Sequence, residues 1–228
     1  MSPANLVYFG SPDFSAKILQ SLLDGFSWDG GPSEPVERGA DSQIGPKGLL
    51  PGESAIKIVG VVTSPDKPQG RKQVLTPSSV SQLADKYDLP VFKPAKLDEA
   101  DLSHLKLLKP DLFLVVSYGK IIPSSYLAAP AGGTFNLHFS LLPKYRGALP
   151  ISEAIKNGDQ KTGVTLMRLD EQLDHGPIIS QAEIDIDIND NCQTLTNKLT
   201  LAGIKLLADH LPSLARNKYT SQPQAEST

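Results

Sequence analysis

Two polar side chains stand two residues apart in Thr134-Phe135-Asn136-Leu137-His138-Phe139, where apolar and polar residues alternate with the period of a strand. That alternation puts the Asn136 amide and the His138 imidazole on one face, about 7 Å apart by twice the strand rise. Asn offers N–H donors at any pH, and His offers a donor or a positive charge near neutrality, so the pair can hydrogen-bond one small group lying over the strand. The Leu141-Leu142-Pro143 that follows must leave the strand, because Pro donates no ladder hydrogen bond and restricts the residue before it. The pair is therefore expected at a strand's carboxyl end, beside a loop. From residue types alone, a satisfied half-buried histidine and a turn-capping amide are the more ordinary reading of such a pair.

Positioning such a pair needs a sheet, and the chain reads as one. Leu6 to Phe9 is a short apolar run, followed by Gly10-Ser11-Pro12-Asp13 and then by Phe14, Ile18, Leu19, Leu22 and Leu23 at helical spacing. Strand, tight turn and helix follow, with Ser11 or Asp13 as cap candidates. Gly10 alone is not G-x-G-x-x-G, so neither NAD nor FAD is expected. Further strands are predicted over 56–62, 90–92, 111–116, 162–169 and 182–188, and helices over 80–87, 102–108, 150–155 and 194–211. Asp111 to Val116 is a nearly continuous apolar run, typical of a central parallel strand buried on both faces. This alternation predicts an α/β protein: a Rossmann-like open, mostly parallel twisted sheet with helices on both faces, its crevice lined by loops at strand carboxyl ends.

One domain is predicted over 1–215. Within it, 27–54 is rich in Gly, Pro, Ser and acidic residues and reads as an exposed or disordered insertion; 216–228 has a linker's composition, and the family resemblance described below implies a further domain beyond it that the chain does not contain. No apolar run reaches membrane-spanning length, the first residues lack a signal peptide's pattern, and Cys192 is the only cysteine, so a cytoplasmic monomer is expected. His, Cys and carboxylates show no metal-ligand spacing, and no metal is expected. A net charge of −3 argues against a surface that grips nucleic acid throughout. It leaves room for a local patch, such as Arg71 and Lys72 in the Pro-rich loop after the second strand, which also reads as ordinary solvated surface.

The run Asn136-x-His138-x-Ser140-Leu141-Leu142-Pro143-x-Tyr145-Arg146-Gly147 resembles the signature of the folate-dependent formyltransferases, which move a formyl group from 10-formyltetrahydrofolate to an amine. The resemblance covers residues 5–222 apart from the insertion. Leu169 to Ile179 is similar to the family's D-x-x-x-D-x-G-x-I loop, with Asp174 at its essential aspartate and His175 where small residues are frequent. By that resemblance, Asn136 and a protonated His138 donate to the developing oxyanion, and Asp174 pairs with the imidazolium and relays a proton; no covalent enzyme intermediate is needed.

The resemblance further assigns Ser140, Leu141, Leu142 and Pro143 to the wall of the folate site, together with Tyr118, Ile121, Ile122 and Asp170. Without it, Tyr118 and the two isoleucines are helix-start packing, and the acidic loop faces solvent. Pro65-Asp66-x-Pro68-x-Gly70-Arg71 is similar to the loop that approaches the acceptor stem in the branch acting on initiator methionyl-tRNA, and together with Gly10 to Phe14 and Ala148 to Ile151 it favours that branch. Initiator methionyl-tRNA, for translation initiation, and the folate co-substrate are the implied partners, with Arg71, Lys72 and Arg146 as tRNA contacts; Arg146 is equally plausible as a surface residue. A nucleotide-linked amino sugar as acceptor, or a non-catalytic folate- or tRNA-binding module, are the alternatives.

Overall fold

Leu6 and Tyr8 point to one side of the first strand and Val7 and Phe9 to the other, and all four are fully buried, so the strand is sandwiched. The computed structural model describes residues 2–25 and 56–225; the insertion read over 27–54 lies outside them. In chain order the elements are β1 (Ala4–Gly10), α1 (Asp13–Leu23), β2 (Ile56–Val62), β3 (Lys67–Gln69), β4 (Val74–Thr76), α2 (Ser79–Lys86), β5 (Val91–Phe92) and α3 (Glu99–Leu107). They continue as β6 (Leu112–Val116), α4 (Ser124–Leu127), β7 (Thr134–His138), α5 (Pro150–Lys156), β8 (Lys161–Arg168), β9 (Ile178–Asp185) and α6 (Cys192–Ala215).

A seven-stranded sheet runs β5-β2-β1-β6-β7-β8-β9. The first five strands pair in parallel, and β8 and β9 are antiparallel. Burial of Ile18, Leu19 and Leu22 of α1, Val80 of α2 and Leu195, Leu199 and Leu207 of α6 packs those helices on one face. Leu102 and Leu105 of α3, with Tyr126 of α4, cover the other. The expected α/β architecture is the observed one.

Several elements differ from the sequence reading. Ser11 does not cap α1: its Oγ accepts from Ser64 N at 3.1 Å, tying the end of β1 to the end of β2. The Pro-rich loop contains the exposed antiparallel hairpin β3–β4. Strand β9 starts four residues early, because Ile178 already pairs with Met167. Helix α6 continues past Pro212, held by fully buried Leu214.

Residues 216–225, read as a linker, turn back along the domain. The Tyr219 ring meets Phe135 edge-on at 5.5 Å, and Gln222 exchanges backbone hydrogen bonds with Ile178 at 2.7 and 2.8 Å.

Candidate active site

The chain leaves β1 toward β2 on one side and returns to β6 on the other, so the carboxyl ends of β1 and β6 flank a topological switch point, where open α/β sheets bind ligands. A cavity of about 680 Å³ lies there. Pro12 and Phe14 line it after β1, Tyr118 to Ile122 after β6, Asn136 and His138 from β7, Gly147 to Ser152 before and within α5, and Leu169 to Asp174 after β8. Phe135, Leu137 and Phe139 enter the α1/α6 core, which turns Asn136 and His138 to the opposite face.

Asn136, His138 and Asp174 meet there, only 8%, 6% and 7% exposed. Asn136 Nδ2 donates to Asp174 Oδ1 at 3.2 Å, and His138 Nδ1 stands 3.6 Å from Asp174 Oδ2. Gly147 N donates to the same Oδ2 at 2.8 Å. His138 Nε2 lies 2.8 Å from Tyr145 O. A carbonyl only accepts, so Nε2 carries a hydrogen and Nδ1 is the nitrogen left to face Asp174 and the cavity.

Two backbone features bring the carboxylate in. Asp174 has φ 47°, in the left-handed region that costs a non-glycine residue about 1–2 kcal/mol. Gly176 lies so close to β8 that a Cβ there would be 1.9 Å from Arg168 O, so glycine alone allows the loop to fold onto the strand end. Asp170 lines the cavity, accepting from Gln172 N at 2.9 Å and pairing with His175 Nδ1 at 2.8 Å. His175 is thereby turned onto Asp170 and is not a lining residue.

Tyr118, Ile121 and Ile122 line the cavity. Burial, with the charge of Asp101, pushes the Tyr118 phenol up to about 12, and its hydroxyl has no partner among the described residues. Lys120 sits 5.8 Å over that ring and donates to Pro94 O and Ala95 O at 2.6 and 2.8 Å; burial, then Lys67, lowers its pKa.

Ser140, Leu141, Leu142 and Pro143 are not among the residues that line the cavity. The turn after β7 folds back over β8. Ser140 Oγ donates to Lys144 O at 2.5 Å, and Thr165 Oγ1 donates to Ser140 O at 2.6 Å while accepting from Leu142 N at 3.2 Å. Leu141 packs over Gly163. The part of this loop that does face the cavity begins at Gly147.

Arg146 is also outside the lining: its Nε and Nη2 donate to Gln224 Oε1 at 3.1 and 2.7 Å. Arg71 and Lys72 are exposed at the tip of the β3–β4 hairpin. Sequence reading missed Gly147 as the donor that holds Asp174, and Gln224 altogether; a glutamine in a polar tail carries no signal of a long-range contact. Among the described residues no group of three or more His, Cys, Asp or Glu is placed to hold a metal ion, and no helix is long and apolar enough to cross a membrane.

Comparison with known proteins finds the formyl transferase family model matching residues 47–211. Methionyl-tRNA formyltransferase of Staphylococcus aureus (strain JH1) is 39% identical over 220 residues, covering 96% of this chain and 61% of the relative, so the chain spans about three fifths of the curated relatives it matches. Among solved structures, phosphoribosylglycinamide formyltransferase from Anaplasma phagocytophilum aligns at TM-score 0.71 and 21% identity, covering 100% of this chain and 97% of the other. An N-formyltransferase from Helicobacter canadensis, in complex with folinic acid and dTDP-3-aminofucose, aligns at TM-score 0.65 and 20% identity, covering 99% of this chain and 68% of the other. At these identities the structural likenesses show the fold.

Proposed function

This chain belongs to the formyl transferase family, and from that premise we propose that it carries the catalytic unit that moves the formyl group of 10-formyltetrahydrofolate to the amino group of initiator methionyl-tRNA, in the cytoplasm, for translation initiation. Residues 1–215 supply the reacting groups of that unit, and the tail that follows packs back on it through Tyr219, Gln222 and Gln224. The observation that carries the reading is the convergence of Asn136, His138 and Asp174 at the mouth of β7, beside a cavity within the size range of small-molecule sites.

The substrate amine attacks the formyl carbon, and the new C–N bond forms as the carbonyl π electrons move to oxygen. Collapse then breaks the bond to N10, and the proton lost by the amine ends on that nitrogen. One amide hydrogen of Asn136 is held by Asp174, which leaves the second for the oxyanion. His138 spends Nε2 on Tyr145 O, so a hydrogen on Nδ1 is the one it can aim at the same oxygen. Each such preorganised donor is worth roughly 3–4 kcal/mol in comparable sites. Asp174 faces Nδ1 at 3.6 Å, where it balances an imidazolium and can pass the amine's proton through one water.

Charged initiator tRNA and a nucleotide-linked amino sugar, each supplied with 10-formyltetrahydrofolate, separate the acceptors. Formylated methionyl-tRNA is the expected product; formylation of the sugar alone, or no turnover with either, contradicts the proposal.

A further inference from the structure

Gln224 uses all of its side-chain hydrogen-bonding capacity to tie together the two loops that build the site. Its Oε1 accepts from Arg146 Nε and Nη2, at 3.1 and 2.7 Å. Its Nε2 donates to Asp174 O at 2.8 Å and to Gly176 O at 2.9 Å. Arg146 lies between Tyr145, whose carbonyl fixes His138, and Gly147, whose N–H holds the Asp174 carboxylate. One half-buried amide thus bridges the loop that orients the imidazole and the loop that presents the acid.

Asp174 needs such a bridge. Its left-handed φ persists only where surrounding contacts over-determine it, and the Gln224 bond to its own carbonyl is one of those contacts. The tail carrying Gln224 is itself anchored two residues earlier, where Gln222 pairs with Ile178 at the start of β9.

We propose that Gln224 is a positioning residue for formyl transfer: it fixes the Asp174 backbone against Arg146, so that the carboxylate stays on Gly147 N and within reach of His138. This role rests on the reaction proposed above, and two readouts keep the failures of each apart.

The test uses Gln224→Ala and Gln224→Glu in this chain, reading amide hydrogen exchange at Gly147 by NMR together with kcat and KM for formyl transfer. In Gln224→Ala, exchange at Gly147 should quicken and kcat should fall roughly 10- to 100-fold, as for small misplacements of reacting groups, with KM for 10-formyltetrahydrofolate unchanged. Gln224→Glu keeps an acceptor for Arg146 but turns an oxygen toward two carbonyls, and it should be at least as impaired. Exchange at Gly147 unchanged in both variants overturns the proposal. So does a Gln224→Glu enzyme with wild-type kcat, which would mean that the Arg146 tether alone matters. If the unmodified chain formylates no acceptor, the proposed reaction fails, and Gly147 exchange still decides the clamp.

Discussion

At the scale of single residues, the site divides one acid among three partners, and each partner has a distinct expected consequence. Asn136 is the donor with a hydrogen to spare, so Asn136→Ala should lower kcat by roughly 10²–10³, the usual cost of removing one oxyanion donor, with a smaller effect on KM. Equal losses in kcat/KM carried wholly by KM would mark Asn136 as a binding group instead. The acid was legible in sequence only through its resemblance to a family loop, since an acidic stretch such as Asp170 to Asp174 has no pattern that distinguishes a buried carboxylate from a solvated one. Asn136 and His138 were legible from physics: alternation fixed their shared face and Pro143 fixed the strand's end. Adjacency to that pair does not say which way the next turn faces, and Ser140 to Pro143 are not among the lining residues.

At the scale of elements, the turn after β7 is fastened to β8 and β9 through Thr165. Its hydroxyl donates to Ser140 O and accepts from Leu142 N and from Gln181 Nε2, at 2.6, 3.2 and 2.8 Å, in a fully buried position. Thr165→Val keeps the shape and strands these polar groups, so it should destabilise the fold by about 1–3 kcal/mol, read as a lower denaturant midpoint with an unchanged slope. A midpoint shift near zero would show that the turn does not depend on that hydroxyl. Buried elements were readable because burial leaves a mark in sequence, an unbroken apolar run in β6 and a helical period in α6. The three-residue strands β3 and β4 are exposed and leave no such mark, and the end of the tail after α6 is held by partners far away in sequence.

For the whole molecule, the hairpin β3–β4 stands apart from the cavity and exposes Arg71 and Lys72 beside Val74 and Leu75, which are 59% and 67% exposed. On the proposed reading, these two cations meet the phosphate backbone of the tRNA. Replacing Arg71 and Lys72 together with Ala should raise KM for charged initiator tRNA and lessen its salt dependence by about two units of log–log slope, leaving KM for 10-formyltetrahydrofolate unchanged. An equal rise for both substrates would make the hairpin structural. The imidazole of His138 and the carboxylate of Asp174, 3.6 Å apart, are expected to act as one unit in formyl transfer. Single-turnover rates of His138→Ala, Asp174→Ala and the double variant test it most directly. The double variant should be nearly as slow as the slower single variant, since residues acting as a unit are grossly non-additive. Independent, additive losses, or a near-normal rate in either single variant, would contradict the account.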